Sequence, residues 1–313
     1  MSRTLSAALL AATLLFPLSV QAQVTLEVKR TPGSVSQTTE QLAFEQTMSI
    51  MGMNVETAVD STIVSSNTVG EATSAGETPV TVRFDSIVSN YQLPGGVNMQ
   101  YDSKKESNKT NNPMLDQLVD VLDATVGMAL TYRVNEDGEV AGVDGVDEAL
   151  KKAPAAVAEL LKGEFDAEKL AAELQQEIDR LPDEAVNVGD TWTRTEVWNI
   201  GQGQALTFER EYEYAGTVEE GGKTYDQIKV TDKSVTFSLA PNPALPLTVT
   251  KSDLKVDSSE GTLLFDREAG NVVKNDIKAT ISGSMTLSFG GQALPADLKL
   301  SLTRSTSVGP AAE

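Results

Sequence analysis

The apolar residues of this chain recur at every second position over two long stretches, which lie on either side of a segment with helical spacing. In the first stretch, 24–101, Phe44 and Met48 point to the same face of a predicted strand. The apolar residues occupy even-numbered positions before Gly52 and odd-numbered positions after it, and this change predicts a tight turn or a bulge at Gly52. Polar and charged residues fill the intervening positions, a pattern typical of an antiparallel sheet with one face in water.

The central segment, 112–184, predicts helices. Asn112 is a suitable N-cap, and the apolar residues that follow it recur at intervals of three and four. Helical spacing returns after Pro154 and ends before Pro182, because proline does not fit the interior of a helix. Between these helices, alternation over 129–143 predicts a hairpin.

The two-residue period returns over 186–308. Its clearest strand is 277–289, in which Gly283 is the one alternate position without an apolar side chain. A glycine inside a strand often marks a bend or a bulge. Gly290 and Gly291 then predict a hairpin that leads into the last strand.

Strands on both sides of a helical insert predict an α+β fold that is mainly β. A sheet of this length must curl, close or split. We therefore expect a long, curled, half-barrel-like antiparallel sheet with the helical insert packed on its concave face. The predicted organisation is a signal peptide over 1–22 and a single domain over 23–313.

The first residues predict export. Arg3 supplies a short positive segment, residues 5–20 are apolar, and Val20 and Ala22 are suitable residues for a cleavage site. The apolar run is shorter than the roughly 20 residues needed to span a bilayer. We expect an extracytoplasmic protein, periplasmic or secreted, with no integral membrane segment after cleavage near Ala22.

Composition excludes several classes of function. The 25 basic and 45 acidic residues give a net charge of −20, and loss of Arg3 with the signal makes the chain one unit more negative. Nucleic acids and anionic membrane surfaces repel such a chain. The absence of His and Cys excludes Ser-His-Asp and Cys-His catalysis, zinc sites built on imidazole or thiolate, and disulfides.

We predict no catalytic residue, no cofactor and no metal ligand, and no residue is singled out for ligand binding. A pair of carboxylates acting as in a glycosidase is the enzyme alternative that composition leaves open, since such a pair needs neither His nor Cys. The small number of aromatic residues, 2 Trp and 6 Tyr, argues against a sugar site.

Two segments resemble a known family. Residues 181–192 match the box L-P-x-x-x-V-x-V-G-D-T-W, which resembles that of a family of secreted bacterial proteins of unknown function. Residues 261–273 are similar to the family's G-x-x-x-F-D-x-x-x-G-x-V segment, a strand-turn-strand pattern. The resemblance implies export and a single domain, and brings no activity or catalytic residue. Both segments also have a structural interpretation, in which Pro182 ends a helix, Gly189 forms a turn and Trp192 opens a strand.

These features lead to two hypotheses. In the first, the protein is exported, non-catalytic and binds an apolar, lipid-like molecule in the interior of the curled sheet, by fold-level analogy with lipoprotein-carrier half-barrels of the bacterial envelope. In the alternative, it is a structural or interaction protein of the cell envelope with a filled core and an envelope protein as partner. The volume left inside the sheet separates the two.

Overall fold

The computed structural model describes residues 23–201, 203–240 and 247–311. The predicted signal peptide, 1–22, lies outside the described residues. Within them, the chain forms twelve strands and four helices. The strands are β1 (Val35–Ile50), β2 (Met53–Val69), β3 (Thr78–Leu93), β4 (Val97–Asp102), β5 (Ala129–Val134), β6 (Val140–Asp144), β7 (Thr191–Gly201), β8 (Gln204–Glu220), β9 (Lys223–Leu239), β10 (Leu247–Asp266), β11 (Asn271–Phe289) and β12 (Gln292–Pro310). The helices are α1 (Pro113–Thr125), α2 (Val146–Lys152), α3 (Ala155–Glu164) and α4 (Ala167–Ile178).

All twelve strands belong to one antiparallel sheet that does not close into a barrel. The strand order is β6-β5-β3-β2-β1-β12-β11-β10-β9-β8-β7, and β4 pairs with β3. The first and last strands are neighbours in the sheet, so Phe44 on β1 lies opposite Leu302 on β12. The predicted fold class, mainly β with a long antiparallel sheet and a helical insert, is confirmed.

The sheet curls until strands that are distant in this order face each other. Phe44 on β1 and Trp198 on β7 have ring centroids 6.2 Å apart in an edge-to-face arrangement. Such a contact is not possible across a flat sheet, because every strand adds nearly 5 Å of width. The β7–β9 side therefore covers β1, β11 and β12 across an interior.

The helical insert packs on the concave face of the sheet. α1 begins at the predicted cap, where the Asn112 side chain accepts a hydrogen bond from the Met114 N–H at 3.1 Å. Its Val119 is fully buried against Ile87 of β3. Strand pairing places Ile87 on the face that carries Phe44, which is the concave face.

Two elements differ from the predicted bounds. Alternation begins at Val24, but this residue forms only an isolated bridge with Val186, and the first strand begins after a turn at Gly33, whose φ is 79°. Helix α2, 146–152, was not predicted, because a helix of seven residues is too short to show a clear apolar period.

The predicted turns at Gly52 and at Gly290 and Gly291 are present, whereas no bulge occurs at Gly283, because β11 keeps its register with β10 and β12 there. Gly52 lies in the turn between β1 and β2, and Gly290 and Gly291 join β11 to β12. Gly283 marks a close approach of two strands, because a Cβ at this position would lie 2.2 Å from the carbonyl oxygen of Asp253 on β10. The strand therefore needs glycine here for space.

None of the described helices is long and apolar enough to cross a bilayer.

Candidate functional site

An apolar core fills the space between the β7–β9 side of the sheet and β1, β11 and β12. Leu206, Phe208 and Leu287 lie at its centre and are almost completely buried. We call this cluster the main core, and its members are Phe44, Leu206, Phe208, Val235, Phe237, Ile281, Met285, Leu287, Ala296, Leu298, Leu300 and Leu302. At its centre the interior is therefore occupied by the protein's own side chains.

The hydrogen-bond ladder between β9 and β10 stops partway along the strands. Paired residues run only from Gly261 to Phe265 on β10, opposite Val230 to Asp226 on β9. Beyond them, 231–239 and 247–260 form no backbone pairs with each other among the described residues. We call this unpaired part the seam. Along this part the two strands exchange no ladder hydrogen bonds, although the Asp232 N–H donates to the Ser259 hydroxyl at 2.9 Å.

A row of apolar side chains lines the seam. Leu247, Val249, Leu254 and Val256 of β10 pack against the main core but remain only partly buried. Lys255, between two of them, is exposed on the opposite face. The seam thus carries an apolar row that is continuous with the main core.

A cluster of buried charged residues adjoins the main core. Glu196 on β7 lies at its centre, where it accepts hydrogen bonds from Arg180 at 3.2 and 3.3 Å, from Arg210 at 2.7 Å and from the Tyr212 hydroxyl. Arg210 also donates to Asp232 on β9 at 2.6 Å. We call these five residues the charge cluster. Every charge in it has an opposite partner, as burial requires.

The electrostatics of the charge cluster favour fixed charges. Burial acts to raise the pKa of the Glu196 carboxyl, but Arg180 and Arg210 outweigh it, so the pKa lies below its ordinary value. Burial and the adjacent Glu196 raise the pKa of Tyr212 above its ordinary range. At neutral pH, Glu196 is therefore ionised and Tyr212 carries its proton.

A cleft of about 270 Å³ opens beside the charge cluster, between α4 and the sheet. At its rim Arg304 of β12 bonds Glu40 of β1 at 2.9 and 3.2 Å, and lies 3.7 Å from Glu177 of α4. Trp198 forms part of its apolar wall. The ionisable lining residues are Glu40, Glu173, Glu177, Glu196, Arg180, Arg210 and Arg304. Each of these arginines forms an ion pair with a glutamate, and these ion pairs hold α4 against the sheet.

A second cleft, of about 480 Å³, lies between α1, α2 and the start of β5. Ala124, Met128 and Ala149 contribute apolar walls, and Asp123 and Glu148 contribute acidic ones. It is separate from the main core, since none of these residues belongs to that cluster.

The box at 181–192 adjoins the charge cluster. The Trp192 indole N–H donates to the Arg180 carbonyl at 2.7 Å, and its ring stacks on Tyr212 with centroids 5.7 Å apart. The Asp190 carboxylate accepts bonds from the backbone and side-chain nitrogens of the residue three positions earlier, at 2.7 and 3.1 Å. The distinctive residues of the box thus have local structural partners.

The segment at 261–273 forms the predicted strand-turn-strand, from the end of β10 to the start of β11. Phe265 is fully buried, and the Asp266 carboxylate accepts two backbone N–H bonds within the turn, at 3.0 and 2.9 Å. Arg267 reaches back to the buried carboxylate of Asp226 on β9, with a 3.0 Å bond from its Nε. This segment therefore fixes the paired part of β9 and β10.

The ionisable residues of the charge cluster do not belong to any of the predicted sites. No motif marks them, but alternation does give a signal: Arg210 lies between Phe208 and Tyr212 at inward positions of β8, and Glu196 lies opposite Phe208 on the same face of β7. A charge on the apolar face of a strand indicates a buried ion pair.

Comparison with known proteins gives weak structural likenesses. No curated protein matches this chain. A structure described as lipid-protein interactions in lipovitellin is 11% identical over 91% of this chain, with a TM-score of 0.39, and this chain covers 26% of it. DynF from the dynemicin biosynthesis pathway of Micromonospora chersina is 9% identical, with coverages of 96% and 92% and a TM-score of 0.21. OccK7 of Pseudomonas aeruginosa is 7% identical, with coverages of 90% and 100% and a TM-score of 0.22. At these TM-scores, no conclusion about function is drawn from them.

A family comparison is more informative. The family described as "Family of unknown function (DUF6263)" matches residues 75–236, about half of the chain. The matched part runs from the start of β3 into β9, and it contains the box at 181–192 and the charge cluster. The chain therefore belongs to the DUF6263 family, whose function is unknown.

Proposed function

We propose that this protein is an exported, non-catalytic binding protein that holds an apolar, lipid-like molecule inside the curled sheet. The ligand enters through the seam and lies along the partly buried side chains of β10. The carrying observation is the seam itself: a stretch of β9 and β10 without ladder pairs, where Leu247, Val249, Leu254 and Val256 border the main core.

The seam supports ligand entry because it can widen at low cost. Beyond Gly261, no backbone pair joins β9 to β10 among the described residues, so moving these strands apart breaks no ladder hydrogen bond between them. Beside the ladder, the Ser259 hydroxyl still joins the strands, since it accepts from the Asp232 N–H at 2.9 Å and donates to the Asp232 carboxylate at 3.0 Å. Farther along, an acyl chain can replace the apolar contacts of β10 with its own methylene groups.

The charge cluster supports a non-catalytic role. A general acid needs a raised pKa near neutral pH, whereas Arg180 and Arg210 lower the pKa of Glu196 despite its burial. Both oxygens of that carboxylate are already hydrogen-bonded. The buried ionic groups thus act as supports for α4 and the strands.

Native mass spectrometry of the protein beginning at Gln23, exported by a bacterial host and purified without detergent, tests the proposal. We expect a mass excess that disappears on denaturation and corresponds to an apolar molecule. The site is tested with oleate as probe. Because the chain has no cysteine, Leu254→Cys provides a unique thiol in the seam, and oleate should slow its reaction with a thiol reagent. Lys255→Cys, exposed on the other face of β10, is the matched control and should not change.

The filled centre of the main core favours the alternative, a structural or interaction protein of the cell envelope. Leu206 and Phe208 are completely buried by other side chains of the protein. Two results together would reject the binding proposal and select this alternative. The first is a native mass equal to that of the protein alone, and the second is a Leu254→Cys thiol that reacts equally fast with and without oleate.

A further inference from the structure

Outside the predicted signal peptide, six segments of at least 10 residues carry no Asp, Glu, Lys or Arg. Charged residues make up 22% of the chain, so uncharged runs of 10 to 18 residues stand out. Five of them contain a connection between two strands, and these are 46–55, 86–101, 197–208, 234–250 and 279–296. The sixth, 61–70, follows β2 towards its other end.

The sheet topology brings these five runs to one end of the molecule. Each run spans a connection between two antiparallel neighbours: β1 to β2, β3 to β4, β7 to β8, β9 to β10, and β11 to β12. Strand pairing places the strand ends that flank these connections at the same end, since Ile50 pairs with Met53 and Ala296, and Phe289 pairs with Leu247 and Gln292. The ends of β3, β7 and β9 lie there too, by the pairing of each with its neighbours, while residues 202 and 241–246 lie outside the described residues. We call this the uncharged end. The seam opens at this end.

At the opposite end, two long connections carry charges. The β2 to β3 connection holds Glu71 and Glu77, and the β10 to β11 connection holds Arg267 and Glu268. The net charge of −20 is therefore unevenly distributed along the strand direction. Solubility alone does not account for one end of a sheet without charges.

Large apolar side chains project at the uncharged end. Met51 and Met53, at the β1–β2 turn, are 69% and 68% exposed, and Phe289, before the β11–β12 turn, is 49% exposed. The two hairpins are neighbours, because the Met51 N–H reaches the carbonyl of Pro295 on β12 at 3.5 Å.

Met51 is also strained. It has a φ of 50° and Gly52 a φ of 82°, the left-handed pair of a two-residue hairpin turn, in which Asn is preferred at the first position. Besides glycine, Asn111 is the other residue in the described part of the chain with positive φ, and Asn tolerates it. A Met that is both strained and exposed serves neither the turn nor the core, so its role lies in an external contact.

We infer that the uncharged end docks on the surface of an uncharged, zwitterionic lipid bilayer. Met51, Met53 and Phe289 enter the boundary between headgroups and acyl chains, and the Ser, Thr, Asn and Gln residues of the runs meet the headgroups. Docking there places the seam against the bilayer. This rests on the proposed function for one point only, that the bilayer is the source of the apolar ligand.

The surface fits a bilayer better than a protein partner. Protein interfaces have polar rims and are about as apolar as the rest of a protein surface. Five adjacent connections without one charge depart from that composition. The net charge of −20 opposes docking on anionic lipids, which restricts the surface to uncharged ones.

Flotation with phosphatidylcholine vesicles tests the inference, using the protein beginning at Gln23. The wild-type protein should float with the vesicles. Met51→Asn should lower its partition coefficient into the vesicles about tenfold, since the apolar side chain that the bilayer would bury is lost. The urea midpoint of Met51→Asn should stay the same or rise, because Asn suits the turn. Phe289→Gln should also weaken flotation. Val35→Asn, at an exposed position on the opposite end of β1, should bind as the wild type does.

Wild-type protein that stays in solution, or Met51→Asn and Phe289→Gln that float normally, would overturn the inference. A protein partner whose binding needs Met51 and Phe289, without flotation, would also overturn it. The proposed function fails separately, because ligand retention is measured by native mass spectrometry without vesicles. If the protein floats with the vesicles but its native mass shows no bound molecule, only the ligand proposal is rejected.

Discussion

At the scale of single residues, Glu196 shows why a buried charge is difficult to replace. Its carboxylate joins Arg180, Arg210 and Tyr212, which come from the end of α4 and from β8. Removing one partner of a buried ion pair leaves the others uncompensated in a medium that solvates them poorly. The stability of this region therefore depends on the complete set of partners.

Glu196→Gln should lower the free energy of unfolding by about 3–5 kcal/mol, the range for breaking a buried ion pair, because it leaves two buried arginines without their shared carboxylate. Urea unfolding at pH 7 measures the change. Glu219→Gln, exposed on β8, is the control and should change stability by less than about 0.5 kcal/mol. A change for Glu196→Gln as small as the control's would contradict this account of the charge cluster.

The pH dependence follows from the lowered pKa of Glu196. The unfolded chain binds this proton more readily than the folded one, so the stabilisation is complete above the ordinary pKa of 4.5 and is lost as the pH falls through the lower folded pKa. Urea unfolding between pH 7 and pH 3 should show a decline below about pH 4.5 that is shallower in Glu196→Gln. Equal slopes in the two proteins would show that other carboxyl groups control acid unfolding.

At the scale of elements, the long strands depend on a few positions where backbones approach closely. Gly283 is the clearest, since a Cβ would lie 2.2 Å from the Asp253 carbonyl oxygen and 2.8 Å from the Leu254 Cα. Neither backbone atom can move without disturbing the β10–β11 ladder. This contact lies beside the apolar lining of the seam.

Gly283→Ala should therefore destabilise the protein by more than about 1 kcal/mol, because the native backbone cannot accept a side chain there. Gly309→Ala on β12 is the matched control: a Cβ at Gly309 meets nothing within 4 Å, so stability should be unchanged or slightly higher. Thermal unfolding of both variants measures the difference, and equal melting temperatures would contradict the steric argument.

At the scale of the whole molecule, charge is separated along the strand direction. The chain carries −20 overall, while the five connections at the uncharged end carry none. A molecule with this distribution can bring an apolar end to a neutral surface while its charged remainder stays in water. Its net charge should still resist an anionic surface.

Adding phosphatidylglycerol to phosphatidylcholine vesicles should accordingly weaken flotation at low salt, and about 0.5 M NaCl should restore it, because screening shortens the repulsion to a few ångströms. Flotation across lipid mixtures and salt concentrations measures this. Binding that grows stronger with phosphatidylglycerol would show that a local basic surface, and not the uncharged end, contacts the lipid.

The sequence by itself determined the local features of this protein. Alternating apolar residues predicted the strands, Asn112 predicted the start of α1, and Gly52, Gly290 and Gly291 predicted hairpin turns. These features depend on sterics and hydrogen bonds between residues close in the chain, so a single sequence contains the necessary information. The mainly β fold class follows from their sum.

Only the tertiary structure decided which distant residues meet. β1 pairs with β12, and this pairing brings Glu40 to Arg304. The fold also brings Arg180 and Asp232 into the cluster around Glu196. No local pattern encodes these contacts, because they depend on which of many possible strand orders is the most stable. The uncharged runs are visible in the sequence, yet they become one surface only because antiparallel pairing carries all five to the same end. The seam is likewise a property of the curled sheet, since β9 and β10 alternate like any other strands.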